Sequence, residues 1–243
     1  MSNTLFITEG SKTEPLFLNN IWKKCIKDSA EIYSYRTNIH VLMGELFSGD
    51  SIDEDIDLLQ HIISREKDQE EKKRLGRRFT DIFLVFDLDM QDVRADMGKL
   101  ETMMRSFRDS ADNGKLYINY PMVESYRHLR SLNDGEFRER CIAVSRFPEY
   151  KNIVSEECSG TLKDVTRYDR GMFRAVIEMH LKKANYILGG GFELPSLGEF
   201  GSWEGADILN AQRKKMEKDG SVYVLNTSLF NVVDYRPSDF LRK

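Results

Sequence analysis

Two apolar periods alternate through the first half of the chain. Leu5-Phe6-Ile7 is a short apolar run that opens into the polar string Thr8 to Glu14. Ile82-Phe83-Leu84-Val85-Phe86 is a longer one that breaks into Asp87, Asp89 and Asp92. Such runs, aromatic or β-branched and bounded by polar residues, predict strands buried on both faces. Lys115 to Tyr120 predicts another strand, closed by Pro121, and the stretch Ile32 to Met43 one more, placed at Ile39 to Met43. Between the runs the spacing changes to three and four. Leu18, Ile21, Trp22 and Cys25 share one helix face, as do Ile52, Ile56, Leu59 and Ile63, and then Val93, Met97, Leu100, Met104 and Phe107. Ser11 and Glu14 have capping-box spacing, and Pro15 suits a first helical turn. Ser48-Gly49-Asp50-Ser51 reads as a turn, and Asp112-Asn113-Gly114 stops the third helix. Strands alternating with helices predict an α/β fold, a mostly parallel sheet flanked by helices.

The second half reads differently. Glu149 to Cys158, Asp164 to Leu188 and Gly205 to Lys218 are helical in pattern, with a flexible break at Gly189-Gly190-Gly191. Ser221 to Val224 and Leu229 to Tyr235 read as strands or an extended tail. The expected organisation is a catalytic domain over 1–135 and a mainly helical C-terminal extension over 136–243. Whether the extension packs on the same core the sequence leaves open. There are no internal repeats.

Composition narrows the function classes. The chain has 243 residues, 40% hydrophobic and 31% charged, enough to bury a core. A net charge of −4 argues against a globally basic nucleic-acid binder and leaves room for a local basic patch. No apolar run reaches transmembrane length, and the N-terminus lacks the signal-peptide pattern, so the expected location is cytoplasmic, away from membranes. Cys25, Cys141 and Cys158 form no Cys-x-x-Cys pair, and no His-Glu-x-x-His occurs, so a zinc site is not expected.

The chemistry gathers at strand ends. In a strand, residues two apart share a face, so Asp87 and Asp89 are expected to present paired carboxylates. Like charges so close require a cation or a shared proton. Asp92 fits better as a helix cap. Glu9 ends the first strand, and Gly10 after it allows a tight turn. In a parallel sheet Glu9, Asp87 and Asp89 then converge on one edge, and Glu124, beyond the next strand, is placed to join them. Oxygen ligands without His or Cys suit Mg²⁺ or Mn²⁺. That chemistry fits phosphodiester cleavage or joining. Lys12 is either a phosphate contact or a solvated loop lysine, and Glu14 either completes the site or caps a helix. The cluster Lys72, Lys73, Arg74, Arg77 and Arg78 reads as a solvated charged face, and His128 as a packing histidine.

Glu9-Gly10 after a first strand, followed by an apolar strand ending Asp87-Leu88-Asp89, resembles the topoisomerase–primase (TOPRIM) domain. The fuller string Glu9-Gly10-Ser11-Lys12-Thr13-Glu14-Pro15, with Phe86-Asp87-Leu88-Asp89 and Pro121-Met122-Val123-Glu124, is similar to the RloB-like branch, whose acidic site the OLD-type nucleases share. The resemblance covers about the first half of the chain. It implies a TOPRIM-like sheet and an Mg²⁺-dependent endonuclease acting on DNA or RNA. Glu9 would be the acid, base or metal ligand, and Asp87 and Asp89 would bind metal. It also implies an antiviral defence effector restrained or activated by an ABC- or OLD-type ATPase partner. A haloacid-dehalogenase-like phosphatase also ends an apolar strand in Asp-x-Asp. That motif carries Thr or Val where this chain has Gln91, and it gives Glu9 no role. A non-catalytic partner-binding module is the third reading, and it leaves the acidic set without a purpose.

Overall fold

The computed structural model describes residues 3–52 and 56–241. The first half runs β1 (Thr4–Thr8), α1 (Thr13–Ile21), β2 (Ala30–Ser34), α2 (Ile39–Leu46), β3 (Phe47–Ser48), β4 (Ser51–Ile52), α3 (Leu58–Arg65), α4 (Gln69–Leu75), β5 (Asp81–Asp87), α5 (Met97–Ser106), β6 (Arg108–Asp109) and β7 (Gly114–Asn119). The second half adds β8 (Cys141–Ala143), α6 (Tyr150–Glu157), α7 (Arg170–Ile187), α8 (Leu197–Gly201), α9 (Gly205–Asp219), β9 (Ser221–Tyr223) and α10 (Phe230–Tyr235).

Among the described residues the main sheet has five strands in the order β2-β1-β5-β7-β6. The first four are mutually parallel, and the two-residue β6 closes the edge antiparallel to β7. The fold is therefore α/β with a mostly parallel sheet. Its register decides where chemistry can sit. Thr8 lies opposite Ser34 on one side and Val85 on the other, and Asp87 lies opposite Asn119. The carboxyl ends of the four parallel strands thus share one edge of the sheet.

The strands are apolar because both faces are covered. All of β1 is buried, as is Phe83 to Phe86 of β5. Phe6 stacks on Phe83 at 5.2 Å, and Trp22 packs edge-on against Phe6 at the same centroid separation. Each such side chain contributes about 1.5–3 kcal/mol by leaving water. Trp22 belongs to a π-helical continuation of α1, Trp22–Ile26, that ends on Lys27 in the left-handed region. Leu18, Ile21, Trp22 and Cys25 are all buried, as their spacing predicts. In α5 the apolar face is Leu100, Met103, Met104 and then Phe107. Val93 precedes that helix and is fully exposed.

The second half is laced to the end of β7. Tyr120 and Leu225 exchange backbone hydrogen bonds of 2.8 and 2.9 Å. The Thr227 hydroxyl donates to Ile118 O at 2.7 Å, and the Asn226 amide donates to Val123 O at 3.0 Å. Buried apolar residues from Leu5 to Phe240 form one continuous cluster. No helix among the described residues is long and apolar enough to cross a membrane.

Several local expectations are corrected. Ile39 to Met43 is helix, and the strand lies earlier at β2. Ile39, Leu42, Met43 and Leu46 are buried at helical spacing, and the Asn38 side chain caps the helix by accepting from Val41 N at 3.1 Å. The helix expected from Ile52 to Ile63 is confined to α3. Ile52 lies in a short hairpin strand, and residues 53–55 fall outside the described set. Leu229 to Tyr235 contains helix α10, whose first four residues are buried, so no polar face marks its period. Ser11 is exposed and caps nothing, while Glu14 reaches back to the Gly10 amide.

Candidate functional site

Glu9 leaves β1 held on both sides. Its amide donates to Val85 O at 3.3 Å, and its carbonyl accepts from Arg36 N at 3.0 Å. With its backbone pinned between β2 and β5, its carboxylate turns across the sheet edge. Oε2 accepts from the amide of Asp87 at 3.4 Å. Gly10 follows, and its amide donates to Glu14 Oε1 at 3.2 Å. A Cβ on Gly10 would stand 2.7 Å from Glu14 Oε2, so the glycine lets the buried Glu14 carboxylate lie against the turn without shifting.

Asp87 ends β5 beside Asn119, whose side-chain amide approaches its Oδ1 at 3.4 Å. The strand stops there, and this changes the geometry expected of the aspartate pair. Leu88 turns away, and its amide donates to both Asn119 O and Pro121 O at 3.1 Å. Its carbonyl lies 3.0 Å from the ring of buried His40. Asp89 then adopts φ +36°, a left-handed conformation that aspartate tolerates better than most residues. Asp87 and Asp89 are therefore not paired by strand alternation. The turn brings them together, and both line one depression.

Asn38 holds that turn. Its amide nitrogen is 2.7 Å from carboxylate oxygens of both Asp89 and Asp92, while its oxygen caps α2. Asp92 is not a helix cap, since Asp96 caps α5 through Gly98 N and Lys99 N. Asp92 instead pairs with Arg94, whose hydrogen bonds, with that from Asn38, hold its carboxyl well below the usual range.

Glu124 lies in a 3₁₀ turn, Val123–Arg127, after the cis Tyr120–Pro121 bond. It is buried, and its Oε2 has no partner. Its Oε1 lies 3.5 Å from the ammonium of Lys151, on α6. Lys151 joins Glu9, Asp87, Asp89 and Gln91 in lining a depression of about 230 Å³, walled on one side by Pro121, Met122, Phe147 and Pro148.

The electrostatics express this crowding. Burial pushes the Glu9 carboxyl up to about 7, aided by Glu14 and Asp89 and opposed by the Asp87 amide and Lys151. Asp87 is raised well above its ordinary value, first by burial and then by Glu9, Glu14 and Glu124, with Asn119 opposing. Like charges desolvated together retain protons or take up a cation.

Glu9, Asp87, Asp89, Glu14 and Glu124 thus share one electrostatic neighbourhood. Lys12 stands apart from the depression at Glu9. It is exposed and lines a neighbouring hollow of about 310 Å³ with Glu124, Arg127 and Lys163. The basic cluster of α4 is remote: Arg77 pairs with Glu31 and Arg78 O accepts from Asn3, at the opposite ends of the strands. His128 is buried between Tyr150 and Glu157, and burial lowers it to about 4, consistent with packing.

Sequence reasoning missed Asn38, Asn119 and Lys151. Asn119 had a signal, a polar residue inside an apolar strand opposite Asp87. Asn38 and Lys151 had none, because tertiary packing alone brings them to the site.

The donor set is all oxygen, with one Glu124 oxygen lacking a hydrogen-bond partner and the Glu9 and Asp87 carboxyls disfavoured as anions while no cation is bound. That chemistry fits a hard divalent cation. The spacing is not a closed cage: among the described residues no group of three or more His, Cys, Asp or Glu is arranged to hold a metal ion. No protein-family model matches the chain, and neither a curated protein nor a solved structure matches it.

Proposed function

We propose that the chain is a divalent-cation-dependent nuclease whose site is the depression formed by Glu9, Asp87 and Asp89. The observation that carries this reading is the carboxylate of Glu9 lying across the end of β5, on the amide of Asp87. A phosphatase built on Asp87 and Asp89 gives Glu9 no task, and a scaffold has no use for carboxylates that repel one another. The resemblance of Glu9-Gly10 and Asp87-Leu88-Asp89 to TOPRIM nucleases of the RloB-like and OLD types supports the same choice.

In this reading Asp87 and Asp89 are the groups that would hold Mg²⁺ or Mn²⁺, with Glu9 as a further ligand or as the acid–base group. Such an ion supplies charge neutralisation for the phosphoryl group and an acidified water. The chain's own residues supply the rest. Where Glu9 serves as acid or base rather than as a ligand, its value of about 7 in the cation-free site is matched to proton transfer near neutral pH. Lys151 faces the same depression and is placed to contact a phosphate oxygen. Glu124 holds Lys151 at its rim. Lys12, Arg127 and Lys163 around the adjoining hollow offer cations to a continuing nucleic-acid backbone. The substrate class is DNA or RNA. The resemblance further proposes a role in antiviral defence under an ABC- or OLD-type ATPase.

The test is cleavage of plasmid, single-stranded DNA and tRNA with and without Mg²⁺ or Mn²⁺, beside Glu9→Ala and Asp87→Ala, alone and, if a neighbouring gene encodes an ATPase, with that protein added. Cation-dependent cleavage abolished by both substitutions is expected. Cleavage that ignores the cation or survives both would overturn the proposal, and phosphomonoester hydrolysis needing Asp87 but not Glu9 would replace it with the phosphatase.

A further inference from the structure

A second cavity lies against the other end of β7, and neither the acidic site nor the reading of it uses it. It measures about 270 Å³. Two half-buried aromatic side chains, Phe200 and Trp203, line its open side, and the buried rings of Phe107 and Phe230 pack behind them. Phe200 is fixed by its neighbours, 5.5 Å from Trp203 and edge-on to Phe230 at 6.1 Å. Such walls favour a flat ring, because every aromatic ligand has a π-face to stack.

The polar groups on the wall are nearly all spoken for. Lys115 pairs with Asp234 at 2.6 Å, and the Tyr117 hydroxyl also bonds Asp234. Glu204 pairs with Arg105 at 3.1 Å. Arg108 is different. It lies on exposed β6 at the cavity, and its guanidinium has no ion pair among the described residues. The lining therefore has one uncommitted charge, and it is positive.

Close approach of the backbone shapes the slot. Gly205 opens α9 with its α-carbon hard against Met104, where a Cβ would meet Met104 Cε at 2.7 Å. The helix is thereby drawn in against α5 and β7, and Phe200 and Gly201 of α8 line the other side of the cavity.

We infer that this cavity is a binding site for a small flat aromatic heterocycle carrying one anionic group, the ring against Phe200 and Trp203 and the anion on Arg108. A nucleoside monophosphate and an indole carboxylate share that chemistry, and the experiment separates them. The inference stands independently of the nuclease reading.

The chain has two tryptophans, Trp22 and Trp203. Trp22 is buried under β1 and β5, and Trp203 lines the cavity. The intact protein is titrated with adenosine monophosphate, adenosine and indole-3-acetate, following tryptophan emission for the first two and thermal melting for all three. A saturable change with the monophosphate that persists in Trp22→Phe and vanishes in Trp203→Phe is expected. Arg108→Glu, at an exposed residue with no partner to lose, is expected to weaken binding by about tenfold or more, the usual effect of losing a charge-assisted hydrogen bond. A melting shift with indole-3-acetate alone, lost in Arg108→Glu, would support the site and assign it to carboxylates. No saturable effect of either anion at millimolar concentration, adenosine binding as tightly as its monophosphate, or an unaffected Arg108→Glu would each overturn it.

Discussion

Glu9→Gln is expected to make the protein more stable while destroying the proposed activity, and the stability gain should depend on pH. The Glu9 carboxyl titrates at about 7 in the fold against an ordinary 4.5. The folded protein therefore binds more protons than the unfolded chain between those values, and stability falls as pH rises from about 4.5 through 7. At about 1.36 kcal/mol for each tenfold change in proton affinity, the full difference is about 3 kcal/mol. Glu9 faces the water of the depression, and screening there reduces this to about 2 kcal/mol. Glutamine keeps the shape and the hydrogen bond to the Asp87 amide without the charge. Urea unfolding in chelator is the assay, at pH 5, 6, 7 and 8. Wild type and Glu9→Gln should be nearly equal at pH 5, and the variant should be about 2 kcal/mol ahead at pH 8. Adding Mg²⁺ at pH 8 should stabilise wild type and leave the variant nearly unmoved, since binding to the native state alone raises stability. A variant less stable at pH 8, or a difference flat across the range, would refute the electrostatic account of the site.

Gly10→Ala should cost about 1–3 kcal/mol through its clash with the Glu14 carboxylate, and Glu14→Ala in the same chain should recover part of it, read as coupling in a double-mutant cycle. Asn38→Ala should lose about 1 kcal/mol with the cap on α2, whereas Asn38→Ser should keep the cap and still lose cleavage, because serine cannot hold Asp89 and Asp92. Equal cleavage by Asn38→Ser and wild type would remove Asn38 from the site. Lys183 is buried with its ammonium on Phe137 O, and burial lowers it to about 7. The unfolded chain then binds more protons between about 7 and 10.5, so stability should rise with pH across that window, and Lys183→Met should flatten the rise in urea midpoints at pH 7, 8 and 9.

Residues whose neighbours in sequence declare their role were legible. Leu5-Phe6-Ile7 and Ile82 to Phe86 are apolar because the sheet is covered on both faces, so the strands were visible and with them the strand ends that carry Glu9 and Asp87. The stretch Ile39 to Met43 misled because its β-branched content hid the buried spacing of Ile39, Leu42, Met43 and Leu46. The alternation argument for Asp87 and Asp89 failed at one residue. β5 stops at Asp87 because Leu88 shares its last ladder bond to Asn119 with Pro121, and Asp89 then turns into the left-handed region. Lys151 and Asn38 were invisible for a different reason. A lysine on a helix and an asparagine in a loop look the same whether they face solvent or a carboxylate.

The stitching of Tyr120 to Leu225 and of Ile118 to Thr227 has a consequence for the timing of synthesis. Asn119, which approaches Asp87, also accepts from Ser228 N at 3.3 Å, a contact spanning 109 residues. Lys151 too arrives long after the strands it serves. As the chain is made from its amino end, the sheet can gather early, but the groups that set the acidic edge reach their places only after residues near Ser228 have emerged. A chain extended only through β7 would carry Glu9 and Asp87 without the contacts from Lys151 and Ser228 that frame this edge.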